Sequence, residues 1–188
     1  SGYENTLTEL NIGTRFEQYD NIYLSPNLGI TFDSLTVDST TSSVLKKQAG
    51  DFQEIVFTYG IQRDTRDRSF MPTSGSIIGF TQGLPIYAEE QASLLNQFTS
   101  SKYYGFSDNF VGALKVYAAA IVAIEDDVRI SKRLHIPSKR LRGFENRKIG
   151  PVDGSDYVGG NYAAAVNLEA ALPNLLPEST QTDIAVFL

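Results

Sequence analysis

Apolar and polar residues alternate one by one along most of the chain, a pattern typical of a β-strand with one face in an apolar environment. In the first such segment, Leu10, Ile12 and Phe16 fall on one face. Glu9 and Arg15 fall on the other. The same alternation recurs down to the last residues. It predicts eight strands, at residues 8–17, 22–33, 51–63, 75–86, 92–104, 110–124, 161–172 and 181–188.

The segment 110–124 needs a closer look because its alanine content also suits a helix. Its parity favours a strand. Leu114 and Val122 share one face with small residues, while Lys115 and Tyr117 fall on the opposite face. We therefore predict a strand here.

Strand length separates two classes of all-β protein. The predicted strands are about 9 to 14 residues long, which matches membrane β-barrels better than soluble sandwiches with strands of about 5 residues. Short turns also alternate with long polar loops. We expect an all-β fold, an antiparallel meander that is part of a transmembrane β-barrel, with its apolar face toward lipid and its polar face toward a wet lumen. A soluble β-sandwich is the alternative.

The two ends of the sequence predict a piece of a larger barrel. The first residues contain no initiating Met and no targeting segment. The last strand is still apolar where the sequence stops. Because an open sheet would leave unpaired edges in lipid, we expect residues 1–188 to be a partial C-terminal barrel domain, with strands missing at both ends.

One segment is positively charged, although the net charge of the whole chain is −6. Residues 125–160, called the long loop below, hold 8 of the 16 basic residues and 6 acidic ones, so the loop is locally +2 and the rest carries −8. A connection of this length without an apolar period is usually functional or disordered. The long loop is therefore the first candidate for a functional site.

Candidate catalytic chemistry is sparse. The chain has no Cys, which excludes a disulfide, a thiolate metal site and a Cys nucleophile. His135 is the single histidine, without Asp or Ser in a recognisable order, and we expect it on the loop surface. The charges at 63–68 alternate in sign, which favours a self-paired turn over phosphate binding. No enzymatic activity, cofactor, metal or nucleic-acid partner is expected.

Four ordered elements carry a family resemblance. They are "RDTRDRSFMPTSGSIIGF" (63–80), "LRGFENRKIGP" (141–151), "GGN" (159–161) and "NLEAALP" (167–173). Together they resemble the BamA family of outer-membrane protein-assembly factors. In that family a loop carries an Arg-Gly-Phe/Tyr core and then Ile-Gly-Pro, and Gly-Gly-Asn opens a strand that contains a Glu. The sequence departs from this pattern at "HIPSK" (135–139), which stands in place of a Gly-Gly-Ser-like approach, and at Leu141, where Val is common.

The resemblance implies that the long loop folds into the lumen, with Arg142 at its tip paired to acidic groups of the wall. Glu169 lies on the polar face of its strand, so it is the candidate partner. A second acidic partner would lie beyond the end of this chain. Separate solvated charges at Arg142 and Glu169 are the alternative. The resemblance also assigns a loop tip of Leu141, Arg142, Gly143, Phe144, Ile149, Gly150 and Pro151, and a strand-opening turn of Gly159, Gly160 and Asn161.

The function implied by the resemblance is the folding and insertion of client proteins by strand templating in the bacterial outer membrane. The expected partners are unfolded outer-membrane protein clients, assembly-machinery lipoproteins and outer-membrane lipid. Periplasmic repeat domains would lie outside this chain. The alternatives are a translocation pore or TamA-like factor of the same superfamily, and a passive porin. A porin needs no Arg-Gly-Phe tip paired with a wall carboxylate.

Overall fold

The computed structural model describes residues 3–39, 46–125, 127–141, 143–145, 147–153, 156–173 and 184–187. Within these ranges the secondary-structure elements are β-strands and two short 3-10 turns, at Ile130–Lys132 and Ser138–Arg140. The strands are β1 (Tyr3–Gly13), β2 (Phe16–Tyr19), β3 (Ile22–Val37), β4 (Gly50–Asp64), β5 (Gly75–Ala88), β6 (Ser93–Ser107), β7 (Phe110–Ala123), β8 (Val152–Asp153), β9 (Asp156–Tyr157), β10 (Tyr162–Leu172) and β11 (Ile184–Phe187).

One antiparallel sheet contains all of these strands except β8 and β9, which pair with each other inside the long loop. β1 and β2 both pair with β3, and the order then runs β4, β5, β6, β7, β10 and β11. This is the predicted meander in chain order. The alanine-rich segment is a strand, as its parity predicted, and it pairs with β6 on one side and β10 on the other.

The predicted boundaries differ most from the structure in the first two predicted strands. The first strand begins earlier than predicted and is interrupted at residues 14 and 15, which divides it into β1 and β2. β3 continues past its predicted end to Val37. The extension continues the ladder with β1, where Val37 lies opposite Tyr3. Leu35 is also buried against Ile130 and Val158 of the long loop, and Val37 packs beside them. Of the predicted last strand, the structure describes 184–187.

The two faces of the sheet have opposite characters. One cross-strand row on the outer face consists of Ile61, Phe80, Phe98, Ala118 and Ala164. Ile61, Phe80 and Phe98 are exposed in this row. A contiguous exposed apolar face on long strands is the surface that a transmembrane barrel presents to lipid. The inner face carries polar groups and receives the long loop. No helix in the described ranges is long and apolar enough to cross a membrane.

The turn between β4 and β5 is held by its own charges, as the sequence predicted. Arg66 and Asp64 form an ion pair with a nitrogen-to-oxygen distance of 2.7 Å. Asp67 accepts hydrogen bonds from the backbone N–H groups of Thr73 (3.0 Å) and Ser74 (3.1 Å), and from the Thr73 hydroxyl (2.7 Å). The side-chain bond from Thr73 is the main cause that lowers the pKa of Asp67 to about 2 from an ordinary 3.8.

This lowered pKa gives the turn a defined acid sensitivity. The carboxylate form of Asp67 is favoured in the folded turn. Its contribution to the stability of the turn is therefore complete above pH 3.8 and is lost as the pH falls toward about 2. We expect hydrogen-exchange protection of the Thr73 and Ser74 amides to fall across that window. An Asp67→Asn variant is the control, because the acceptor of the Thr73 and Ser74 amides no longer titrates in it. Protection that stays constant down to pH 2, or that falls equally in the variant, would contradict the assignment.

Gly75 begins β5 in a conformation that other residues rarely adopt, with φ at +89°. A Cβ atom there would lie 2.1 Å from the carbonyl oxygen of Thr65 and 2.8 Å from Cα of Arg66. We expect Gly75→Ala to lower the free energy of unfolding by about 2 kcal/mol, because both the backbone and the turn must shift. The matched control is Gly60→Ala, where the nearest atom to a new Cβ is 3.5 Å away. Equal effects in a denaturant titration would refute this reasoning.

Candidate functional site: the long loop on the inner wall

The first part of the long loop, residues 127–134, is called the loop foot below. It crosses to β3 and β4 and places a buried cation there. Nη2 of Arg129 lies 3.2 Å from Oδ2 of Asp33 on β3. The same guanidinium stands 3.2 Å from the ring centroid of Phe52 on β4. Arg129 is 2% exposed and Asp33 5% exposed, so this contact is shielded from solvent on both sides.

Burial lowers the pKa of Arg129 from its ordinary value, while the neighbouring Asp33 raises it. A guanidinium keeps its charge even when buried, so it requires both a carboxylate and a polarisable surface nearby. Asp33 supplies the first and the face of Phe52 the second. Ser131 adds a hydrogen bond from its hydroxyl to Oδ2 of the same carboxylate. Asp33 of β3 and Phe52 of β4 thus contact Arg129 directly, and Ser131 of the foot holds the carboxylate of Asp33 in place.

Further contacts of the foot reinforce this attachment. Lys132 forms an ion pair with Glu54 on β4. The backbone N–H of Ile130 donates to Oε1 of Gln48 at 2.7 Å. Ile130 itself packs in the buried apolar group with Leu35 on β3. Polar and apolar contacts therefore fix the same short stretch to β3, β4 and the segment that joins them.

The last residue of the loop foot and the residues that follow it are attached to a different part of the wall, β7 and β10. Leu134 and Ile136 pack against a buried group made of Tyr117, Ala119, Ala163 and Ala165. The guanidinium carbon of Arg140 lies 5.4 Å from the ring centroid of Tyr117. Leu134 and Gly160 also exchange two backbone hydrogen bonds, of 2.7 and 3.0 Å. The alanines leave room for the loop to approach the strands closely.

Several residues predicted for the site lie close together on this loop. Leu141, Phe144 and Ile149 line one small cavity with Ile136. Phe144 is nevertheless 60% exposed. The carbonyl of Pro151 accepts a hydrogen bond from the N–H of Val158, and the carbonyl of Asn161 accepts one from Ile121 on β7.

Three glycines of the predicted site have positive φ values. Gly143, Gly150 and Gly159 have φ values of +83°, +130° and +73°, all in the region that favours glycine. A Cβ atom at Gly159 would also lie 2.9 Å from Nε2 of His135 and 3.0 Å from the carbonyl oxygen of Leu134. The strand-opening turn is therefore packed too tightly for a larger residue at Gly159. Gly160 lies beside Pro151 and bridges to Leu134.

Glu169 lies on the inner side of β10 and is half-buried, as its parity predicted. Its Oε2 atom is 2.6 Å from Nζ of Lys115 on the neighbouring strand β7. The partner predicted for Glu169 in the loop tip is Arg142, which lies outside the described residues. The clamp between Arg142 and Glu169 accordingly stays a prediction, whereas the pair between Lys115 and Glu169 is an observed contact that the sequence did not predict.

Comparison with known proteins decides the family. The model of the Omp85 superfamily domain matches residues 1–188. The chain belongs to the Omp85 superfamily. The crystal structure of BamA from Haemophilus ducreyi lacking POTRA domains 1–3 superposes on this Omp85 domain with a TM-score of 0.81 at 18% identity, and the match covers 98% of this chain and 41% of that one. That likeness establishes a shared barrel architecture.

Two eukaryotic proteins resemble this Omp85 domain in sequence. A SAM50-like protein of Schizosaccharomyces pombe is 28% identical over 140 residues, which is 70% of this chain and 29% of the relative. Sorting and assembly machinery component 50 homolog A of Xenopus laevis is 26% identical over 139 residues, which is 71% of this chain and 30% of the relative. The chain thus spans less than a third of the length of either relative.

The Omp85 domain also contains site residues that the sequence reasoning missed. Asp33 and Glu54 fall on the polar positions of their alternating segments, but nothing in the sequence links them to Arg129 and Lys132 of the loop foot. The expectation for His135 was wrong. It is half-buried instead of lying on the surface, and burial, together with the charge of Arg147, lowers its pKa from the ordinary value of 6.5. Its contact with the tight turn at Gly159 accounts for this burial.

Proposed function

We propose that this Omp85 domain is part of an outer-membrane factor that folds and inserts client β-barrel proteins, and that it does so without enzymatic chemistry. The observation that carries the proposal is the long loop, which bears the assembly-factor signature and is attached to the inner wall at two places. A loop held in this way occupies much of the lumen and narrows any passage through it. The superfamily match and the name of the Xenopus relative, a sorting and assembly machinery component, support an assembly role.

Strand templating is the mechanism that we propose. A barrel that opens between its first and last strands offers unpaired backbone N–H and C=O groups to an incoming client strand. The client gains main-chain hydrogen bonds that lipid cannot supply, so pairing at the open edge lowers the cost of bringing an unfolded strand into the membrane. The clients are unfolded outer-membrane proteins, and the further partners are assembly-machinery lipoproteins and outer-membrane lipid.

The setting that we propose is the bacterial outer membrane, which the loop signature indicated. The two sequence relatives come from a yeast and a frog, and they support the same activity in eukaryotic membranes as well. Within the superfamily, a translocation pore or a TamA-like factor is the alternative. A passive porin is disfavoured because the loop foot and the ion pairs of Arg129 and Lys132 stand across the space that a diffusing solute would use.

Depletion of the natural full-length protein from its source cell tests the assembly function. We expect unassembled client barrels to accumulate outside the membrane within a few generations, while unrelated membrane proteins are inserted normally. Re-expression of the unsubstituted protein should restore assembly and is the control. If client barrels assembled normally after depletion and only the uptake of small solutes fell, the protein would be a porin and the proposal would be refuted.

A further inference from the structure

The loop foot connects two parts of the wall that are not neighbours in the sheet. Arg129 contacts Asp33 on β3, whereas Leu134 packs on β7 and β10. β4, β5 and β6 lie between β3 and β7 in the sheet order. The foot therefore passes over the inner faces of the strands between these two attachments. A displacement of either wall must stretch the foot or break one attachment.

A cavity of about 300 Å³ lies beneath the foot. Its walls come from β1, β3, β4, β5, β6 and β7, with Asn27, Thr58 and Leu95 among them. Ser131, Lys132 and Leu134 of the foot line the same cavity. The foot consequently forms one side of this cavity, and the position of the foot determines how wide the space beneath it is.

The attachment of the loop foot to β3 depends on a buried pair of charged side chains. Both Arg129 and Asp33 are almost completely buried, so each requires the other to compensate the loss of hydration. Lys132 and Glu54 repeat the arrangement one strand further along. Removing Asp33 takes away both the ion-pair partner of Arg129 and the hydrogen-bond acceptor of Ser131, the two foot residues that contact β3 through polar groups. One side chain thus controls the polar attachment of the foot to β3.

We propose that Arg129 and Asp33 form a latch that holds the loop foot across the lumen and sets the bore of the passage beneath it, with Arg129 as the positioning residue. When Arg129 and Asp33 are paired, the foot stays in place and the passage is narrow. The latch does not depend on the assembly function, since it follows from the contacts between the foot and the wall. Its release widens the lumen on the side of β3 and β4.

Ion conductance of the natural full-length protein in planar lipid bilayers tests the latch. The double variant Asp33→Cys with Ser131→Cys removes the acceptor and places two thiols at a former hydrogen bond. These 188 residues contain no Cys, and any cysteine elsewhere in the protein is replaced by Ser. With the thiols reduced, we expect the conductance to rise about twofold or more, because a wider pore admits more hydrated ions. A short bifunctional methanethiosulfonate should return it to the unsubstituted level, and a reductant should raise it again.

A matched control lies on the same two strands. Ser34 donates a hydrogen bond of 2.6 Å to Asp51, but both residues lie on the opposite face from Asp33 and Glu54. The variant Ser34→Cys with Asp51→Cys should show the same conductance reduced, bridged or unsubstituted. Arg129→Lys should raise the conductance less than Arg129→Met does, because Lys retains the positive charge that pairs with Asp33. These outcomes separate the latch from a general loss of folding.

Three results would overturn the proposal. The first is an unchanged conductance in the reduced Asp33→Cys, Ser131→Cys variant. The second is a bridged form that conducts as strongly as the reduced form, which would mean that the position of the foot does not set the bore. The third is an equal response in the control pair, which would assign the change to any alteration of β3 and β4.

Discussion

Replacing Asp33 by Ala in the natural full-length protein is expected to lower the free energy of unfolding by about 3 to 5 kcal/mol, since a buried guanidinium is left without its carboxylate. Arg129 is 2% exposed and cannot return to water without pulling the loop foot off the wall. Arg129→Met should cost a similar amount, because it leaves the carboxyl group of Asp33 buried without its partner. Denaturant titration in phospholipid vesicles measures both effects.

A double variant and a control sharpen this prediction. Asp33→Leu together with Arg129→Met removes both buried charges, so it should be more stable than either single charge deletion. Asp51→Ala deletes an exposed carboxylate on the adjoining strand, where we expect a change of less than about 1 kcal/mol. If Asp33→Ala cost no more than Asp51→Ala, the pair with Arg129 would contribute nothing to holding the loop.

The second large loss of stability is expected when Glu169 is replaced. Glu169→Ala should lower the free energy of unfolding by about 3 kcal/mol, because Lys115 loses its observed partner inside the barrel. On the clamp prediction, Arg142 loses its partner as well. Glu169→Ala should therefore cost more than Arg142→Ala, which leaves the pair between Lys115 and Glu169 in place. Stability and client insertion by the full-length protein are the two measurements.

Double-mutant cycles separate the two partners of Glu169. The cycle between Lys115 and Glu169 tests an observed contact and serves as the positive control, with a coupling energy of about 1 kcal/mol or more. The cycle between Arg142 and Glu169 tests the clamp, and we expect a coupling of the same order. A coupling near zero in the second cycle alone would mean that the loop tip is held by another group.

Strand positions followed from the sequence because side-chain alternation is a local signal. Leu114 and Lys115 fall on opposite faces of any strand, so parity alone distinguished the alanine-rich segment from a helix. Positive φ values at Gly143 and Gly150 were equally predictable, because glycine is the residue that adopts them without strain. The orientation of Glu169 came from the same parity argument. Each of these predictions needed only neighbours in the chain.

The attachments of the loop foot did not follow from the sequence, since they join residues far apart in it. Asp33 was correctly placed on a polar strand face, but any of the eight basic residues of the long loop was an eligible partner. The extension of β3 to Val37 and the burial of His135 also depend on residues distant in the sequence. Val37 pairs with Tyr3 and His135 lies beside Gly159, and no local pattern records either contact.

Folding of a client barrel in reconstituted vesicles tests the central claim most directly. The natural full-length protein is incorporated into phospholipid vesicles, and the rate at which an unfolded outer-membrane β-barrel protein becomes protease-resistant is compared with the rate in empty vesicles and in vesicles that hold a porin. We predict faster folding with the Omp85 protein alone, and a smaller acceleration when it carries Glu169→Ala. A rate equal to that of the porin vesicles, in a preparation that conducts ions, would contradict the assembly function.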